Sequence, residues 1–224
     1  GIKSKPWIFR KRGWNGITIE AAPLLYSQLH MIAENEGLTT MEGALCEAFS
    51  VVEFLGSSGC CAGIKSKLSD MHINSFHMQE APVTKVNCVT INAVLRALGV
   101  GMIDFFSLDV EGAELDVIKS INWDLVSIRS ILVEVGKDKE RIEEMHAILT
   151  SQNFTKHLFE SVSDPPLNEL WVHSSTLTQL PAPPKIKSKN DHPGCSSRCH
   201  VCGAGSPEDG GVGLITLSDG TMVC

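Results

Sequence analysis

The sequence predicts an α/β fold, in which a mostly parallel sheet carries helices on both faces. Apolar runs typical of strands alternate with segments of helical period up to about residue 175. The run at 103–110 is apolar except for Asp104, Ser107 and Asp109, as expected of a strand that is covered on both sides. Carboxylates end two of the predicted strands, at Glu20 and Asp109, and open α/β sheets bind ligands at that edge.

The first half of the chain supplies a strand, a helix and two further strand-like segments. The strand predicted at 16–20 contains a β-branched run at 17–19 that follows a Trp-Asn-Gly turn. The helix predicted at 24–35 comes directly after Pro23. The next two strand-like segments span 38–46 and 51–55. Residues 56–80 show no clear period, so we expect an irregular excursion near the mouth of a ligand pocket.

The second half repeats the alternation. A helix over 90–99 is expected to end at Gly99, and the strand at 103–110 leads through a turn at Gly112 into a helix over 113–121. The elements predicted after it are a strand at 128–135, a helix at 139–151 and strands near 154–159 and 169–173. We expect the last two strands to form an antiparallel hairpin that closes the sheet.

The stretch SLDVEGAEL at 107–115 closely resembles the signature of the FkbM-type methyltransferase family. The stretch GWNGITIEAAP at 13–23 is similar to that family's second strand, and residues 128–134 resemble the strand that follows the signature. The resemblance can be followed from about residue 7 to 175. It implies a Rossmann-like methyltransferase fold and transfer of a methyl group from S-adenosylmethionine, usually to a hydroxyl oxygen of a small-molecule or glycan-type acceptor.

Cofactor contacts are expected at the ends of the early strands. A carboxylate that ends a strand, such as Glu20, accepts both hydrogen bonds of a ribose diol, and Ala21 adjoins it. The resemblance implies that Ala44 and Leu45 contact the adenine, through backbone groups and apolar side chains.

Asp109 and Glu111 are the candidate catalytic residues. Methyl transfer to a hydroxyl needs a group that orients the acceptor or removes its proton, and either carboxylate suits that role. Two carboxylates that are two residues apart on a strand point to the same face. A second interpretation is that they hold magnesium or calcium, which prefer oxygen ligands. A third is that Glu111 or Glu114 accepts backbone N–H groups and fixes the turn.

The resemblance also implies a first strand and a glycine-rich loop ahead of residue 7, where this sequence has only GIKSKP. We therefore expect an N-terminally truncated chain whose first strand is missing. FSLDVEGAEL at 106–115, followed by Trp123-Asp124, resembles the animal Star protein branch as well, whose members act in membrane-protein trafficking. A non-catalytic interaction protein on the same fold is therefore the alternative function.

Composition divides the chain of 224 residues into a domain at 1–180 and a tail at 181–224 that begins with a proline-rich spacer. We expect this tail to be irregular, or to form a partial zinc knuckle whose candidate ligands are Cys195, Cys199, Cys202 and Cys224. The four other cysteines are expected to be reduced thiols in a cytoplasmic protein. A net charge of −7 argues against a general nucleic-acid binder, and no run approaches the roughly 20 apolar residues of a membrane span.

Overall fold

The computed structural model describes residues 13–56, 61–136, 138–157 and 168–177, together with the backbone of 213–217 and 221–223. The side chains of 34–36 are not described. The strands are β1 (Asn15–Glu20), β2 (Thr39–Glu42), β3 (Ala44–Leu45), β4 (Ser50–Leu55), β5 (Gly63–Ile64), β6 (Val83–Val89), β7 (Met102–Leu108), β8 (Ser127–Ile128), β9 (Ser130–Glu134), β10 (Phe154–His157), β11 (Asn168–His173), β12 (Gly213–Leu217) and β13 (Thr221–Val223). The helices are α1 (Pro23–Glu36), α2 (Asp70–Ser75), α3 (Ile91–Ala97), α4 (Glu114–Ser120), α5 (Lys139–Ser151) and α6 (Ser174–Leu177).

The larger sheet confirms the α/β class, but it is mixed rather than mostly parallel. Its strand order is β10-β11-β9-β7-β12-β13-β1-β2. The pairs β1–β2, β7–β8 and β7–β9 are parallel, whereas β9, β11 and β10 pair antiparallel. The predicted closing hairpin is therefore confirmed as β10–β11, with the register Phe154 opposite His173.

The core is built around β7. Its Ile103, Phe106 and Leu108 are completely buried, which explains why this strand is so apolar in sequence. Helices α3, α4 and α5 contribute the apolar residues that pack against it: Ile91, Val94, Leu95, Leu115, Val117, Ile118, Met145 and Leu149. This packing positions the carboxyl end of β7, where the chain leaves the sheet.

A smaller sheet, of order β3-β6-β4-β5, stands beside the larger one. The single strand predicted at 38–46 is divided at Gly43, so that β2 stays in the larger sheet and β3 joins the smaller one. Gly43 has a φ of 151°, and a Cβ at this position would lie 3.1 Å from the Asn87 carbonyl oxygen. The excursion at 56–80 is also more regular than predicted, since it contains β5 and α2. Strand β6 was not predicted.

Strand β12 lies between β1 and β7, antiparallel to both. Leu214 is paired with Thr18 on one side and Ser107 on the other, and Gly213 is opposite Ile19. Among the described strands, β12 therefore takes a central place in the larger sheet, where the resemblance implies the first strand. The tail was expected to be irregular, and neither β12 nor β13 was predicted.

Other predictions for the tail stay predictions. The candidate zinc ligands Cys195, Cys199, Cys202 and Cys224 lie outside the described residues, as does the domain boundary at 180. Among the helices described, none is long and apolar enough to cross a membrane.

One prediction about the cysteines is wrong. Cys46 and Cys88 form a disulfide, with their Cα atoms 5.5 Å apart, rather than two reduced thiols. The two residues are 42 positions apart in sequence, and they meet because β3 and β6 pair. Spacing alone does not reveal such a contact.

A buried carboxylate ties α5 to the outer strands. Glu169 accepts hydrogen bonds from His146 Nε2 at 2.7 Å, from Lys156 Nζ at 2.5 Å and from Trp171 Nε1 at 3.1 Å. Burial raises the pKa of Glu169, but Lys156 and His146 outweigh it and hold the pKa below its ordinary value. The cluster therefore stabilises the fold when Glu169 is ionised.

Replacing Glu169 by Gln should lower the free energy of unfolding by about 1–3 kcal/mol at pH 7, because a buried charge-assisted cluster loses its anion. The pKa of Glu169 is lowered in the folded state, so this stabilisation is present above the unfolded pKa. It disappears as the pH falls through the folded pKa. Urea unfolding at pH 7 and at acid pH should show a deficit that shrinks in acid.

Glu53→Gln is the matched control, since Glu53 pairs with Lys65 at 3.0 Å but both side chains are about half exposed. Its effect should stay within about 0.5 kcal/mol. A Glu169→Gln effect as small as that of the control would contradict the stabilising role of the cluster.

Candidate functional site

A single pocket brings together the six residues predicted to bind cofactor or to act in catalysis. It lies at the carboxyl ends of β1 and β7, where the smaller sheet meets the larger one. The predicted residues that line it are Glu20, Ala21, Ala44, Leu45, Asp109 and Glu111. Most of the remaining wall is apolar and comes from Ile19, Phe54, Ala62, Ile64, Phe106 and Val110. The pocket therefore places several carboxyl groups against an otherwise apolar surface.

Glu20 ends β1 inside this pocket, and only 6% of it is exposed. Its Oε1 accepts a hydrogen bond from the Ala22 N–H at 2.8 Å, and its carbonyl accepts one from Gly43 N at 3.0 Å. Burial raises the pKa of Glu20 to about 7, although the N–H groups of Ala22 and Ala21 lower it. Glu20 therefore titrates near neutral pH.

The turn after β7 gives Asp109 and Glu111 their positions. The strand ends at Leu108, so Asp109 and Glu111 do not share a strand face as predicted. Glu111 instead has a φ of 55° and Gly112 a φ of 98°, both on the left-handed side of backbone space. The turn, and not strand periodicity, brings both side chains to the pocket.

Glu114 fixes this turn. Its Oε1 accepts hydrogen bonds from Val110 N at 2.9 Å and from Gly112 N at 3.1 Å, and its Oε2 lies 3.1 Å from the same Gly112 N. The third interpretation of the carboxylates therefore holds for Glu114, which accepts backbone N–H groups and fixes the turn. Arg141 also stabilises the turn, since its guanidinium donates a hydrogen bond to the Gly112 carbonyl at 3.1 Å.

Glu134, at the end of β9, is the third acidic residue of a cluster that also contains Asp109 and Glu111. Asp109, Glu111 and Glu134 each place a carboxylate oxygen within 4.8 Å of the others. Burial, and then the charge of Asp109, raise the pKa of Glu111 to about 8. Burial, the charge of Asp109 and a hydrogen bond with it raise the pKa of Glu134 to about 9. Glu111 and Glu134 therefore hold protons at neutral pH.

Sequence reasoning missed Glu134 as a site residue. The signal was present, since Glu134 ends the strand predicted next to 103–110, as Glu20 and Asp109 end theirs. The rule that ligands bind at the carboxyl ends of the strands, applied to every predicted strand, identifies Glu20, Asp109 and Glu134.

The excursion between β4 and β6 covers the turn. His72 Nε2 lies 2.8 Å from the Cys61 carbonyl oxygen, and His72 Nδ1 lies 3.7 Å from Glu111 Oε2. Gly63 packs so closely that a Cβ there would be 3.1 Å from Glu111 Cβ. The excursion therefore shapes the side of the pocket where Glu111 lies. The position of His72 depends on the path of an aperiodic segment.

Cations near the site are directed away from the pocket. Lys67 Nζ lies 2.8 Å from Asp116 Oδ2, and Arg141 lies between Asp116 and the Gly112 carbonyl. No described lysine or arginine lines the pocket. The site therefore suits proton removal from a neutral group better than binding of an anion.

Comparison with known proteins identifies one family. A family model described as Methyltransferase FkbM domain matches residues 4–156. No curated protein and no solved structure matches the chain.

Gly112→Ala should destabilise the protein by about 1–3 kcal/mol, because an alanine is strained at a φ of 98° and its Cβ would lie 2.7 Å from the Lys67 carbonyl oxygen. Chemical denaturation measures the change. Gly99→Ala is the matched control, since Gly99 also has a positive φ, of 68°, but its Cβ would meet nothing within 4 Å. Equal losses in the two variants would show that packing of the excursion on the turn contributes nothing.

Proposed function

Since the chain belongs to the FkbM methyltransferase family, we propose that it transfers a methyl group from S-adenosylmethionine to a hydroxyl oxygen of its acceptor. The observation that carries this proposal is the convergence of Glu20 with Asp109 and Glu111 in one pocket at the carboxyl edge of the sheet. That edge is where open α/β sheets bind nucleotides.

Glu20 indicates which half of the pocket would bind the cofactor. Its ionised carboxylate would accept the hydrogen bonds of the ribose diol, and Ala21 adjoins it. The wall formed by Ala44 and Leu45 would contact the adenine, and both residues are buried. When bound, S-adenosylmethionine supplies an electrophilic methyl group on a sulfonium sulfur.

Asp109 is the proposed proton acceptor. Burial raises the pKa values of Glu111 and Glu134, which makes their carboxyl groups less available as proton acceptors. The acceptor hydroxyl would donate its proton to Asp109 as its oxygen forms the bond to the methyl group and the bond between sulfur and methyl breaks. Glu111, held in its turn by Glu114, would orient the hydroxyl.

A divalent cation is the alternative means of activating the hydroxyl. The oxygens of Asp109, Glu111 and Glu134 lie close enough to share an ion, and oxygen ligands suit magnesium or calcium. The ion would have to displace the protons on Glu111 and Glu134, which the direct mechanism leaves in place. Methyl transfer that survives a chelator supports Asp109 as the base, and transfer that requires added magnesium supports the cation.

The acceptor is proposed to be a small-molecule or glycan-type hydroxyl compound. The apolar surface of Phe54, Ala62 and Ile64 beside Glu111 supports a neutral group at this point. We further propose a cytoplasmic location, which provides S-adenosylmethionine, and no nucleic-acid partner, in keeping with the net charge of −7.

Calorimetric titration of S-adenosylmethionine tests the proposal. Glu20→Ala should weaken binding roughly 10- to 100-fold, the effect of losing charge-assisted hydrogen bonds. Glu42→Ala is the control, because Glu42 is paired with Glu20 in register but is exposed and does not line the pocket. A folded protein that binds no cofactor would contradict the proposal and favour the non-catalytic interaction protein.

Cofactor affinity should fall as the pH drops from about 8 to 6. Burial raises the pKa of Glu20 to about 7, and the diol needs the ionised form, so protonation below that pKa competes with binding. The dissociation constant should rise up to about tenfold for each pH unit below 7. Glu20→Gln, which cannot titrate, should remove this dependence, and an unchanged pH profile in that variant would assign it to another group.

Asp109→Asn should lower kcat about 10²- to 10⁴-fold, because it removes the proton acceptor. Binding of S-adenosylmethionine should persist. The measurement is transfer of labelled methyl groups to a panel of hydroxyl compounds, with Asp124→Asn as the control on an exposed carboxylate outside the pocket. Wild-type turnover in Asp109→Asn would exclude Asp109 as the base.

A further inference from the structure

The Cys46–Cys88 disulfide lies directly behind the proposed adenine wall. Cys46 follows Leu45, the last residue of β3, and Cys88 is the neighbour of Ala44 across the β3–β6 pair. Ala44 and Leu45 line the pocket, whereas neither cysteine does. The disulfide is thus positioned to act on the pocket wall without contacting a ligand.

The wall makes few backbone hydrogen bonds to its neighbours, although Ala44 and Leu45 are themselves buried in the core. The pairing of β3 with β6 consists of two residue pairs, Ala44 with Cys88 and Leu45 with Val89. Beyond these pairs, the Cys46 N–H donates to the Val89 carbonyl at 3.0 Å. At the other end, the Gly43 N–H donates to the Glu20 carbonyl at 3.0 Å. Short pairing of this kind opens readily unless something else holds it.

We propose that the Cys46–Cys88 disulfide is a redox-sensitive latch, which holds the wall at 43–46 in its binding position and is released by a dithiol reductant. The part of this inference that concerns ligand affinity rests on the proposed function. The part that concerns the wall itself does not.

The two sulfurs differ in access, which sets the direction of the reaction. Cys46 is partly exposed, whereas only 2% of Cys88 is exposed. A thiolate of the reductant would attack Cys46 Sγ, forming a mixed disulfide and releasing Cys88 as a thiolate that takes up a proton. The second thiol of the reductant then displaces Cys46. Two electrons pass to the protein, which gains two thiols, and the reductant leaves as a disulfide.

Reduction removes the one covalent link between the wall and β6. The backbone bonds of Cys46 and Gly43 remain, so the wall becomes more mobile while the fold is retained. Glu20 is coupled to the same wall through Gly43, so a released wall also loosens the strand end that would bind the ribose. Affinity for S-adenosylmethionine should fall accordingly.

Hydrogen exchange of the full chain, with and without dithiothreitol, tests the latch. Reduction should speed exchange of the Gly43 and Cys46 amides roughly tenfold or more, while the amides of β9 stay protected. In calorimetry, the dissociation constant for S-adenosylmethionine should rise several-fold in the reduced protein. Cys61→Ser is the matched control, because Cys61 takes no part in the Cys46–Cys88 disulfide and its loss should leave both responses intact.

The outcomes separate this inference from the proposed function. Unchanged exchange at 43–46 after complete reduction would overturn the latch, even if cofactor binds. Loss of the far-ultraviolet circular dichroism on reduction would also overturn it, since the disulfide would then hold the whole fold together. Faster exchange at 43–46 in a protein that binds no cofactor in either state would support the latch and contradict the proposed function.

Discussion

The hydrogen bonds from the backbone to the Glu114 carboxylate are the interaction on which the site depends. They hold the chain in the left-handed conformations of Glu111 and Gly112 directly after a buried strand. Glu114 is itself almost fully buried, and burial raises its pKa even though the Val110 and Gly112 N–H groups favour its ionised form. With the turn fixed, Asp109 and Glu111 are brought to the pocket, and the excursion packs on them through Gly63 and His72.

Burial then decides which carboxyl groups carry charge. Several acidic residues share a pocket that no described cation lines, so Glu111 and Glu134 retain protons that they would lose in water. This distribution leaves Asp109 as the proposed proton acceptor, with Glu111 and Glu134 as neutral hydrogen-bonding groups. Burial also raises the pKa of Glu20, to about 7. A site for a cationic cofactor and a neutral hydroxyl accords with this arrangement.

Much of the fold could be predicted because it depends on local pattern. The apolar run before Asp109, the helices at 24–35, 90–99 and 139–151 and the closing hairpin each carry a clear period or a turn signal. The convergence of Glu20 and Asp109 follows from a general rule about strand ends. Sequence did not reveal the division of one predicted strand at Gly43, the placement of β12 between β1 and β7 or the Cys46–Cys88 pair, because these depend on which distant segments meet. Asp109 and Glu111 were predicted to reach the same pocket because they share a strand face. They do line one pocket, but the turn after β7 brings them there, and not strand periodicity.

We propose that the carboxyl edge of β1 and β7 binds S-adenosylmethionine with its ribose on Glu20 and its sulfur toward Asp109. A crystal structure of the protein with S-adenosylhomocysteine tests this most directly. We expect both ribose hydroxyls within hydrogen-bond distance of the Glu20 carboxylate, the adenine against Ala44 and Leu45, and the sulfur facing Asp109 and Glu111. A nucleoside bound elsewhere, or one whose ribose does not touch Glu20, would contradict it.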